Sequence, residues 1–126
     1  MAKKMTFETV REIGLVLPGV EEGTAYGSPA LRVHGRMFTC MAIHRSAEPG
    51  SLAVRLDFHQ RDELIAADPG AYYLTHHYVD YPVLLVRLSR VHRDALRDLL
   101  RMSWEFVSAK AKRPASQRRP RTRGPR

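Results

Sequence analysis

The stretch Ala30-Leu31-Arg32-Val33-His34-Gly35-Arg36-Met37-Phe38-Thr39-Cys40-Met41-Ala42-Ile43 decides the fold class. Its first four residues alternate as a half-buried strand does, His34-Gly35-Arg36 can reverse the chain, and the remainder is a second extended run. The segment therefore predicts a hairpin. Beyond Glu48-Pro49-Gly50, Leu52, Val54 and Leu56 alternate with Ala53 and Arg55, which adds a third strand with one apolar face.

Helices flank these strands. On the N-terminal side Phe7, Val10, Ile13, Gly14 and Leu17 recur at helical spacing after Thr6, a good N-cap, and Pro18-Gly19 ends the pattern. On the other side Asp57 and Gln60 resemble a capping box, Leu64, Ile65 and Ala67 continue a short helix, and Asp68-Pro69-Gly70 stops it. Residues 71–81 are aromatic-rich and read as extended, and Pro82-Val83-Leu84-Leu85-Val86-Arg87-Leu88 is the most strand-like run in the chain. From about Ser89, Leu96, Leu99, Leu100, Ser103, Trp104 and Val107 share one face of a long final helix. The order helix, three strands, helix, two strands, helix predicts a two-layer α+β domain with a five-stranded antiparallel sheet.

Charge divides the chain unevenly. The 126 residues carry a net charge of +8, yet residues 1–109 hold 13 basic and 13 acidic side chains. The excess lies in residues 110–126, where Lys110, Lys112, Arg113, Arg118, Arg119, Arg121, Arg123 and Arg126 meet no acid. Rich in Pro, Ser and Arg, this segment reads as a disordered basic tail, and residues 1–109 as the folded domain. An uncompensated tail of this kind binds polyanions by releasing condensed counterions.

Several chemistries lack their residues. Cys40 is the only cysteine, so no intrachain disulfide and no cysteine-based zinc site can form, and its apolar strand suggests a packed, inert thiol. His76 and His77 are adjacent, and on a strand they would point to opposite faces rather than share a metal ion. No phosphate-binding glycine loop, nucleophile elbow or His-Glu-x-x-His motif occurs, so no enzyme, metal or cofactor is expected. No stretch approaches the ~20 apolar residues of a membrane span, and a cytoplasmic location is expected.

The period-two pattern sets Arg32, Arg55 and Arg87 opposite the apolar faces of their strands. With Arg36 at the hairpin turn and Tyr26 or Tyr78 nearby, such a face would grip phosphates and stack a planar group. The competing expectation is a polar outer face whose arginines pair with Asp57 or Glu side chains. Arg93, Arg97 and Arg101 form a further stripe on the last helix, but Asp94, Asp98 and Glu105 intersperse it and make it a solvated face.

Leu17-Pro18-Gly19-Val20-Glu21-Glu22, Tyr26-Gly27-Ser28-Pro29-Ala30-Leu31-Arg32-Val33, Gly35-Arg36-Met37-Phe38, and Tyr73-Leu74-Thr75-His76-His77-Tyr78 with Tyr81-Pro82 together resemble the MmcQ/YjbR family of small bacterial proteins. The resemblance runs over about residues 5–107. It implies an α-β(3)-α-β(2)-α fold like that of secretion chaperones, and it implies DNA binding, the label such proteins commonly carry, without an enzymatic activity or cofactor. Val83 departs from the pattern, since relatives often place an aromatic there. Tail and resemblance together favour a non-enzymatic nucleic-acid-binding protein. A protein-interaction or dimerisation module and a domain binding a small anion or metabolite are the alternatives.

Overall fold

Two side-chain caps start helices. Thr6 accepts the backbone N–H of Glu8 at 3.2 Å and opens α1 (Phe7–Gly14), and Asp57 accepts that of Gln60 at 2.8 Å and opens α2 (Phe58–Ala67). The computed structural model describes residues 5–112. Between and after these helices run β1 (Val20–Ala25), β2 (Ser28–Val33), β3 (Arg36–Met41), β4 (Ser51–Arg55), β5 (Tyr72–Tyr73), β6 (Val83–Arg87) and α3 (Arg93–Lys112). Every pairing is antiparallel, in the order β1-β2-β3-β4-β6-β5.

The sheet thus has six strands rather than the expected five. The additional one is β1, whose Val-Glu-Glu-Gly-Thr-Ala sequence carries too few apolar residues to announce a strand. It is an edge strand, which takes its order from pairing with β2 rather than from burial. Two tight turns impose this meander. Tyr26 and Gly27 have φ of 54° and 80°, and His34 and Gly35 have 53° and 76°. Positive φ at both central residues marks the two-residue turn whose twist matches that of paired strands. The expected extended run over residues 71–81 reduces to the two residues of β5, because the chain beyond Tyr73 is anchored by turns and side chains rather than by a neighbouring strand.

A register shift between Leu31 and Arg32 leaves Phe38 as an additional residue on β3, so that Phe38 and Thr39 both serve the helix-covered side. There Phe38 is fully buried with Leu31, Val33, Leu52, Val54, Leu84, Val86, Leu96 and Leu100. Two bonds tie α3 down: Ser103 Oγ donates to the Phe38 carbonyl at 3.1 Å, and Trp104 Nε1 donates to the Pro18 carbonyl at 2.9 Å. Gly14 lets α1 approach the sheet, since a methyl group there would overlap Leu31 Cδ1. α3 continues through Lys112, so Lys110 and Lys112 belong to the helix; residues 113–126 lie outside those described. No helix among the described residues is long and apolar enough to cross a membrane.

Candidate functional site

The other face of the sheet is not the polar surface expected of a two-layer domain. Its centre is paved by Ala30, Cys40, Ala53 and Leu85, each buried, and Met37, Tyr73, Tyr78 and Val83 pack against them. None of the described helices contributes a residue to this second apolar cluster. Two loops cover it in part, residues 42–50 between β3 and β4 and residues 74–82 before β6.

Arg61 fixes the second loop. This arginine is only 5% exposed, and its Nη1 donates to the carbonyls of Val79 at 3.1 Å and Tyr81 at 2.8 Å. Its Nε meets Asp62 at 2.9 Å, and its guanidinium lies 4.8 Å from the centre of the Phe58 ring. A buried guanidinium persists only when its donors are satisfied, and here the partners are the backbone of the loop itself. The first loop is held by Arg87, which is bidentate to Glu48 at 2.9 and 2.7 Å, donates to the Pro69 and Gly70 carbonyls, and lies 4.1 Å from the Tyr73 ring centre. The hydrogen bonds to Arg87 hold the Glu48 carboxyl below its ordinary value.

Between the loops opens a cavity of about 950 Å³. Met37, Cys40, Met41, Ala42, Ala53 and Val83 line its floor and flanks; Tyr26, Ile43, His44, Arg45, Arg55, His77, Tyr78, Tyr81 and Pro82 complete it. Its size falls among cavities that enclose small organic molecules. Among the described residues, the charged side chains in the lining are both arginines, and no carboxylate belongs to it. Burial pushes the Cys40 thiol up from its ordinary value, and the charge of Arg55 offsets this only in part. A thiol so shifted is a poor nucleophile, in keeping with an inert, packed cysteine.

One wall of the mouth is aromatic. The rings of His44 and His77 stack at 3.5 Å with 9° between their planes, and Tyr78 sets its edge against both. His44 Nδ1 accepts the Ser46 backbone N–H at 3.1 Å and lies 2.8 Å from Ser46 Oγ, which is 2.7 Å from Thr75 Oγ1. Partial burial, then the neighbouring His77 and Arg45, hold the His44 imidazole below its ordinary value.

The arginines expected to act together do not converge. Arg32, Arg55 and Arg87 do share the outer face, as their register partners Met37, Val83 and Ser51 require. Arg87 is consumed by its bonds to Glu48 of the first loop and to the Pro69 and Gly70 carbonyls. It also lies four residues along β4 from Arg55, roughly 13 Å at strand rise. Arg32 turns to the β1 side, where its Nη2 donates to the Thr24 carbonyl at 2.8 Å. Arg36 is exposed opposite Val33, a residue of the helix-covered face, and so leaves the group altogether. Of these four strand and turn arginines Arg55 reaches the cavity, where Tyr26 and Tyr78 join it and Arg45 adds a second cation. Lys110 stays on α3, 5.0 Å from the Phe106 ring centre, while Arg113, Arg118, Arg119, Arg121 and Arg123 lie outside the described residues.

Sequence reading missed Arg45, Arg61, His44 and His77 as participants. The one available signal was that the runs around Cys40 and Leu85 are apolar at consecutive positions, a pattern of strands covered on both faces.

No curated protein matches the chain. Its fold is similar to the crystal structure of Deinococcus radiodurans protein DR2400, which contains the DUF419 domain, with a TM-score of 0.72 and 24% identity over 89% of this chain and 85% of that one. The YjbR family model matches residues 15–106, from the end of α1 through both faces of the sheet and well into α3, and the chain accordingly belongs to the YjbR family.

Proposed function

We propose that the protein is a non-enzymatic binding protein whose sheet-face cavity takes a small organic anion with a flat apolar body. The supporting observation is the composition of the cavity: apolar at its floor, aromatic at its mouth, and charged among the described residues by Arg45 and Arg55. A flat apolar body satisfies the floor of Ala, Met, Val and Cys side chains, tyrosine rings offer stacking at the mouth, and a guanidinium fork suits a carboxylate or phosphate. Nothing in the lining offers a paired nucleophile and base; Cys40 is neutral and His44 already engages Ser46. A single buried thiol suits a reducing compartment such as the cytoplasm.

The test is calorimetric titration of the full-length protein with an aromatic carboxylate, an aryl phosphate and adenosine 5′-monophosphate, with amide shifts followed at Cys40, Ala53 and Val83. Binding of one class, weakened about tenfold or more in Arg55→Ala through loss of a charge-assisted bond of ~1.5–3 kcal/mol, supports the reading. Absence of shifts at those residues with every probe overturns it.

A second reading has its own support in the eight unopposed cations of residues 110–126, which favour non-specific association with nucleic acid. Fluorescence anisotropy on a short DNA duplex should show affinity falling with a log-log salt slope of about −0.9 per phosphate neutralised. Changing Arg118, Arg119, Arg121 and Arg123 to Gln should flatten that slope, and an unchanged slope counts against the tail.

A further inference from the structure

His44 is built into the mouth of the cavity as a neutral ring. The backbone N–H of Ser46 can only donate, so Nδ1 of His44 must present its lone pair, and the proton of the neutral imidazole resides on Nε2. Ser46 Oγ lies 2.8 Å from the same Nδ1 and 2.7 Å from Thr75 Oγ1, where either hydroxyl can be the donor. A proton added at Nδ1 would face the Ser46 N–H head-on and deprive it of its acceptor. It would also place an imidazolium 3.5 Å from the His77 ring and beside Arg45.

Among the described residues no carboxylate lines the cavity to offset such a charge. On residues 42–50 the acid is Glu48, which Arg87 holds in a bidentate pair. From residues 74–82 the groups turned to His44 are His77 and Tyr78, with His76, Asp80 and Tyr81 elsewhere on the same loop. From the sheet the cavity receives Arg55 and the neutral Cys40. The two loops meet at this point through the His44–His77 stack and the Ser46–Thr75 bond.

We propose that His44, stacked on His77 and bonded to Ser46, is a proton-operated clasp: neutral, it joins residues 42–50 to residues 74–82, and protonated, it parts them and widens the mouth of the cavity. Its biological use rests on the reading of the cavity as a ligand site. The direction follows from linkage. The closed state holds His44 below the ordinary histidine value, so it binds fewer protons than the open state, and closure weakens as pH falls below about 6.5.

Cys40, the single thiol, lines the cavity and reports access without any ligand. Full-length wild type and His44→Phe are labelled with 4,4′-dithiodipyridine between pH 8 and pH 5, and the ratio of their rates cancels the thiol's own titration. The ratio should climb as pH falls, by at most about tenfold per pH unit for a single proton. A ratio independent of pH overturns the clasp. So does a rise accompanied by loss of the Leu96 and Leu100 methyl signals, which is unfolding of the core. Should the variant be too unstable, ring-nitrogen NMR of the wild type decides instead. His44 titrating at or above the ordinary histidine value, or titrating without moving the Ser46 and Thr75 amide signals, overturns the clasp. A flat ratio leaves the ligand reading standing, whereas a rising ratio with no anionic probe bound at pH 8 or pH 5 removes the ligand reading and keeps the clasp.

Discussion

The two faces of one sheet are finished in different ways. On the covered face, α1 and α3 press on buried leucine, valine and phenylalanine side chains that form one cluster. On the other face the central side chains are shortened to Ala30, Cys40 and Ala53, and the cover is two loops held at a distance by arginines. The first face is a core because its partners fill the space. The second is a cavity because small residues recede while Arg61 and Arg87 hold the loops above them.

This contrast can be broken most severely from the covered side. Phe38→Ala should destabilise the fold by about 3–5 kcal/mol, the usual effect of removing a large buried aromatic, read by chemical denaturation. A loss under about 1 kcal/mol would mean that the two faces are packed alike. Arg61→Leu should cost less, roughly 1–3 kcal/mol, because it strips the Val79 and Tyr81 carbonyls of their donor. Its effect should concentrate in faster amide exchange over residues 75–83, with α3 retaining its protection.

A pH titration sharpens the comparison. The carboxyl of Glu48 is held below its ordinary value by Arg87, so its contribution is present above the unfolded carboxylate value of ~4.3 and fades as pH falls through the lower folded value. Thermal melts between pH 6 and pH 3 should show a shallower acid decline for Arg87→Gln than for the wild type. Equal slopes would show that the ion pair does not anchor the first loop. The smallest effect is expected for Arg55→Ala, within about 0.5 kcal/mol of wild-type stability, because Arg55 is half-buried and lines the cavity rather than the core. Ligand binding, not folding, should be what it loses.

The covered face was largely legible in the sequence. Helical spacing of Val10, Ile13, Leu96 and Leu100 and alternation of Leu52, Val54 and Leu56 report burial directly, since one period places them on one side. β1 was not legible, because Glu21, Glu22 and Gly23 are ordered by backbone pairing to β2, to which side-chain pattern is blind. The arginines were legible only in direction. Alternation set Arg32, Arg55 and Arg87 on one face, but whether each is free depends on Thr24, Glu48, Pro69 and Gly70, which the fold brings from elsewhere. The cavity mouth was hidden for the same reason: His44 and His77 are far apart in sequence and meet only when both loops close over the sheet.

The chain contains one tryptophan, Trp104, and its indole N–H ties α3 to the Pro18 carbonyl, just past the end of α1. Intrinsic tryptophan emission therefore reports docking of the helices, while the cavity surrounds itself with Tyr26, Tyr78 and Tyr81. Indole emission, excited selectively, can accordingly be read as an optical channel for the helix-covered side of the sheet in the unmodified protein.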